Sequence, residues 1–125
     1  MKVLVDSSVW VAYLRGNGDP SPVDALIEEG LIATNDIILA ELMPPLLVRG
    51  ENKLVGLLRV MERLPLSVDW DEIVRMQVAC LRGGINKVGI PDLIVAQHAM
   101  QNDLALFSRD KHFALMSKHF VLHLY

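Results

Sequence analysis

A chain of 125 residues, 52% of them hydrophobic, is one domain's length of sequence with enough apolar side chain to close a core, which excludes a disordered tail. Its single cysteine, Cys80, excludes an internal disulfide and a thiolate metal cluster and points to a cytoplasmic protein. The net charge of −3 is mild but uneven: residues 1–48 hold seven acids against Lys2 and Arg15, whereas Arg49–Lys87 holds seven bases against five acids. Those bases read first as a solvated helical face and second as a nucleic-acid track.

In chain order, Val3-Leu4-Val5 is a short β-branched run, the pattern of a strand buried on both faces. Asp6-Ser7-Ser8 follows, and then Val9–Leu14, which has the character of a packed helix. An acid at that handover lies where open α/β sheets bind ligands, just outside the carboxyl ends of the strands. Asp6 and Arg15 interrupt the apolar run, so neither a membrane span nor a signal peptide is expected here. Gly16–Pro20 is dense in turn formers, and Ser21-Pro22 opens a helix that should run to about Glu29 and stop at Gly30. Leu31–Ala33 is a second strand. Thr34-Asn35-Asp36 offers caps for a helix from near Ile37 that carries Glu41. Pro44-Pro45 predicts a break or kink in it.

Leu46–Leu64 reads as helical again, with Leu54, Leu57, Leu58 and Met61 at spacings of three and four. Leu66–Val68 is a third, edge-like strand. Asp71–Arg82 is a helix with Ile73, Val74, Val78 and Leu81 inward, ended by Gly83-Gly84. Pro91–Asn102 is another, opening with Asp92. Leu104–Phe107 is a fourth strand, ending at Ser108-Arg109-Asp110. Lys111–Met116 is a short helix and Val121–Leu124 a last strand. Strands alternating with helices indicate βαβ units and a mostly parallel sheet in a single domain over residues 1–125.

Four carboxylates share a position type, at a strand end or within the first turns of a helix: Asp6, Glu41, Asp92 and Asp110. Each has a structural explanation when taken alone. Asp92 complements a helix dipole, Asp110 suits an N-cap, and Glu41 suits an exposed position. Together they are harder to dismiss. Glu41 lies between Ile38-Leu39-Ala40 and Leu42-Met43, a core-like setting, with no base within four positions on its helix. A buried charge there needs a partner. Converging acids without bases suit a hard divalent cation, which takes oxygen ligands and can activate water against a phosphoryl group. His98, His112, His119 and His123 do not make a zinc pattern. Cys80 reads as core. Trp10 and Tyr13 fit packing better than base stacking.

The segments VLVDSSVWVAYL, DIILAEL, IPDLIVAQHA and LFSRDKHF, in this order and spacing, resemble the PIN-domain ribonucleases, most closely the VapC-type toxins of toxin–antitoxin pairs. The resemblance covers nearly the whole chain. It implies a three-layer α/β/α domain with a parallel sheet of about five strands ordered 3-2-1-4-5. It implies a Mg²⁺-dependent endoribonuclease, with Mn²⁺ as a possible substitute, acting as the toxin of a type II pair. Asp6, Asp92 and Asp110 match the metal-holding acids, and Glu41 the residue that holds or orients the attacking water. Ser108 matches a small hydroxyl position. Arg109, Lys111 and the Arg49–Lys87 bases are the candidates for phosphate contacts on RNA. A homodimer is implied, as is a cognate antitoxin that blocks the site. Two features depart from the pattern: His112 stands where many relatives carry a further acid, and Pro44-Pro45 directly follows Glu41. Two alternatives stay open, a PIN-fold binding module without catalysis and a DNA or flap nuclease of the same fold.

Overall fold

The computed structural model describes residues 1–125 throughout. Its centre is β1 (Val3–Val5), all three residues buried. β1 pairs in parallel with β2 (Ile32–Thr34) on one side and with β4 (Ala105–Phe107) on the other. A two-residue strand β3 (Glu62–Arg63) adds to β2, so the order is β3-β2-β1-β4. Parallel neighbours need crossovers, and the helices supply them: α1 (Ser7–Leu14), α2 (Ser21–Glu29), α3 (Asp36–Val48), α4 (Asn52–Val60), α5 (Trp70–Arg82), α6 (Ile90–Gln101) and α7 (Lys111–Met116). No helix is long and apolar enough to cross a membrane.

At the fifth position the expected strand shrinks to one parallel bridge, Leu106 to Leu124, closed by Leu106 N–H to the His123 carbonyl and Tyr125 N–H to the Leu106 carbonyl. Of Val121–Leu124 only Leu122 is buried, so apolar contact anchors this stretch at one point and not along a length. The third strand also lies elsewhere than expected. Leu66–Val68 is irregular, and Glu62–Arg63 pairs instead. Both residues are exposed, so no hydrophobic pattern marks them. They are placed by the ladder to Ala33 and Thr34, by a Lys2–Glu62 ion pair and by Arg63 3.4 Å from Asp36.

Two helix expectations are corrected as well. α3 continues through Pro44-Pro45 without a break. Proline at these positions removes the N–H partners of the Ala40 and Glu41 carbonyls. Ala40, Glu41 and both prolines are exposed, so water can serve those groups, while buried Leu42 and Leu46 hold the helix on the other side. The Leu46–Leu64 helix is divided: Gly50, at φ +71°, ends α3 in the left-handed region before α4 begins. In α5, Ile73 is inward as expected, but Met76 and Cys80 take the other core positions and Val74, Val78 and Leu81 face solvent. Trp70 joins them on that outer face. The helix carries two apolar stripes, and only packing against α6 decides which is buried.

Candidate metal centre at the C-terminal edge of the sheet

The site grows from the ends of the two central strands. Asp6 leaves β1 at the N-cap position of α1, yet its side chain makes no cap hydrogen bond. It is 6% exposed, and its Oδ2 accepts hydrogen bonds from Ser8 Oγ and Ser108 Oγ, both at 2.8 Å. Each hydroxyl has one proton to give, so each is left as an acceptor towards the chain after β4: Arg109 N–H donates to Ser8 Oγ and Asp110 N–H to Ser108 Oγ, both at 3.0 Å. The two serines thus tie the ends of β1 and β4 together and fix the Asp6 carboxylate between them. Ser108 was anticipated as a small hydroxyl position. Ser8 was missed, although its place two residues after Asp6 was a readable signal.

Asp110 caps α7, its Oδ1 accepting from His112 N–H at 2.9 Å. The structural expectation for this residue therefore holds, but the same carboxylate also faces Asp92. Asp92 sits in the first turn of α6, a helix whose Leu93–Ala99 stretch is wholly buried. The helix dipole there favours the charged carboxylate. Burial nevertheless pushes its pKa up, reinforced by the charges of Asp110 and Asp6, while the Gly89 amide and His112 offset this only in part.

Glu41 is on the open side of α3, exposed and not core-like as its apolar neighbours suggested. Ser7 Oγ donates to its Oε2 at 3.4 Å. Its pKa is raised, first by partial burial and then by Asp6 and Asp92. Each of the four acids thus acts electrostatically on at least one other, and no lysine or arginine forms an ion pair with any of them. The tightest group is Asp92, Asp110 and His112, with one ligand atom of each within 4.8 Å of the others. This donor set fits a divalent cation. Arg109 and Lys111 are exposed beside it. A groove of about 120 Å³, with Val11, Leu14, Leu42 and Leu46 in its lining, opens beside Glu41 and is flanked by Arg15 and Arg49.

A buried link behind the site was not legible in the sequence. Asn35 Oδ1 accepts from Ile38 N–H at 3.0 Å and caps α3, which leaves its Nδ2 to donate to His98 Nδ1 at 2.9 Å. An amide nitrogen cannot accept, so His98 Nδ1 carries no proton and the ring is the neutral Nε2–H form. The bond joins the helix of Glu41 to the helix of Asp92. Burial pushes the His98 pKa down, so the unfolded chain takes up its proton first as pH falls. The link's stability is complete above an unfolded pKa of about 6.5 and is lost below it. Denaturant unfolding at pH 7 and pH 5.5 should show His98→Gln losing roughly 1 kcal/mol less than wild type on acidification. Equal losses would mean that His98 is protonated in the folded state.

The PIN domain family model matches residues 3–118. No curated protein sequence matches the chain. Among solved structures, it is similar to DNA-bound VapBC from Salmonella typhimurium, at 14% identity and TM-score 0.77 over 100% of this chain and 97% of that one. VapBC2 from Rickettsia felis, bound to a DNA fragment from its promoter, aligns at 20% identity and TM-score 0.76 over 100% and 98%. A toxin–antitoxin complex from Klebsiella pneumoniae aligns at 23% identity and TM-score 0.62 over 88% of each chain. At these identities the structures speak for the fold, whereas the family model spans all four acids and both serines. This chain belongs to the PIN-domain family.

Proposed function

We propose that the protein is a divalent-metal-dependent endoribonuclease that works with Mg²⁺ or Mn²⁺, and that it acts as the toxin of a type II toxin–antitoxin pair. The observation that carries this reading is the meeting of Asp6, Glu41, Asp92 and Asp110 at one sheet edge, with Glu41 and Asp92 held above their usual pKa first by burial and then by the charges of the neighbouring acids. Asp6, Asp92 and Asp110 would hold the cation, which when bound neutralises phosphate charge and lowers the pKa of water. Glu41, at the open rim, orients the attacking water and takes its proton. The two serines keep Asp6 from turning away. Arg109 and Lys111 receive backbone phosphates, and Ser108 fixes the turn that presents them.

The partners follow the same reading. A cognate antitoxin blocks the site, supported by the toxin–antitoxin complex among the structural neighbours and by the apolar groove that ends at Glu41. The chain forms a homodimer, supported by the outer stripe of α5. It works in the cytoplasm, where its RNA is. The test is incubation of purified protein with single-stranded RNA and with single-stranded DNA of the same sequence, in millimolar Mg²⁺ and in chelator. Cleavage of RNA that stops in chelator is expected. No cleavage with Mg²⁺ or Mn²⁺ would indicate a binding module, and preferential cutting of DNA would indicate the other nuclease class.

A further inference from the structure

The tightest part of the cluster is not purely acidic. Asp92 and Asp110 offer carboxylate oxygens and His112 an imidazole nitrogen, all within 4.8 Å. His112 Nδ1 is screened from solvent and has no hydrogen-bond partner. It nevertheless lies 2.9 Å from Asp110 Oδ1. That oxygen already accepts the backbone N–H of His112, and the Nδ1 contact is an ion pair only when the ring is protonated. A neutral imidazole carries a lone pair on one nitrogen. Two donors bound at right angles to one cation, each at about 2.1 Å, stand about 3 Å apart. A close nitrogen–oxygen pair without a hydrogen bond, beside a second carboxylate, has the spacing of two ligands that share an ion.

We propose that His112 is a protein ligand of the cation site, and that the resulting oxygen–oxygen–nitrogen donor set favours a first-row transition cation such as Mn²⁺ or Co²⁺ over Mg²⁺. This rests on the proposed cation site and specifies the class of metal it takes. All-oxygen sets suit Mg²⁺, which gains little from an imidazole, whereas affinity for nitrogen donors rises along the series from Mn²⁺ onward. The ring is held in place by its own chain: Asp110 caps α7 through the amide of His112, which turns the side chain back over the carboxylate.

The probe is Mn²⁺ itself, bound to the full chain and observed by pulsed electron paramagnetic resonance. Wild type should show nitrogen coupling to the bound Mn²⁺, absent in His112→Asp and in His112→Gln. Titration with Mg²⁺ should require about tenfold less Mg²⁺ to displace Mn²⁺ from His112→Asp than from wild type. The wild-type spectrum decides the matter even where a variant fails to fold. Mn²⁺ bound without nitrogen coupling, or an unchanged Mn²⁺/Mg²⁺ preference in His112→Asp, overturns the assignment of His112 and leaves the acid site standing. Failure of wild type to bind either cation overturns both.

Discussion

Asp92→Asn should lose at least about 100-fold in RNA cleavage, close to 3 kcal/mol of barrier, while the metal-free protein becomes more stable. The two effects have one cause. In the folded chain the Asp92 pKa is raised by burial, then by Asp110 and by Asp6. Between the unfolded value near 3.9 and the raised folded value, the native state holds more protons than the unfolded one. Stability from this group is therefore present at low pH, falls as pH rises through that window, and is fully lost at neutrality. Asparagine has no charge to desolvate, so it relieves the penalty. The gain is at most about 1 kcal/mol, because the site is partly open and water screens it. Mg²⁺ stabilises wild type by binding the native state and should stabilise the variant much less. Thermal melting at pH 7 in chelator and in millimolar Mg²⁺ checks both halves. A variant that melts lower in chelator and gains as much from Mg²⁺ as wild type would make Asp92 a helix-dipole residue only.

Val74→Lys with Leu81→Lys should convert a dimer into a monomer of 14.0 kDa. Trp70, Val74, Val78 and Leu81 lie three or four residues apart on one face of α5, with Val74 63% and Leu81 60% exposed. A contiguous apolar face of this kind is costly to leave in water, and a lysine pair would put two charges per chain into a self-complementary contact. The opposite face, with Ile73, Met76 and Cys80, holds the core. The double variant should therefore keep its circular dichroism spectrum and melt within a few degrees of wild type at low concentration. Sedimentation velocity decides between the states. A wild type that is monomeric at micromolar concentration, or a double variant that stays dimeric, would remove this face from the assembly.

The elements around the site were legible because their signals are local. Val3-Leu4-Val5 followed by Asp6 announced a buried strand ending in an acid, and Asn35 and Asp110 announced helix starts by their capping side chains. The strand order implied by the family resemblance was enough to bring Asp6 and Asp110 to one edge. What was not legible depends on distant partners. Glu62–Arg63 became the edge strand through pairing with β2, against a sequence with no apolar alternation. α5 has apolar residues on both faces, and its packing on α6, fixed by Gln97 hydrogen bonds to the backbone of Asp69 and to Glu72, chose the inner one. The Asn35–His98 bond spans 63 positions, and nothing near either residue signals it. His112 was visible only as a departure from a pattern. Its approach to Asp110 follows from the cap geometry of α7, a property of the folded turn.

If Glu41 activates water at the acid cluster, that water, and not a hydroxyl of the RNA, attacks the phosphorus. The chemistry of the cut ends tests this most directly. Mass spectrometry of the products from the Mg²⁺ reaction should find a phosphate monoester on one side of each cut, a free hydroxyl on the other, and no cyclic phosphate at any time point. Attack by the ribose 2′-hydroxyl would leave a cyclic phosphate and needs no metal. Cyclic ends, formed as fast in chelator as in Mg²⁺ and unaffected by Asp92→Asn, would contradict the account.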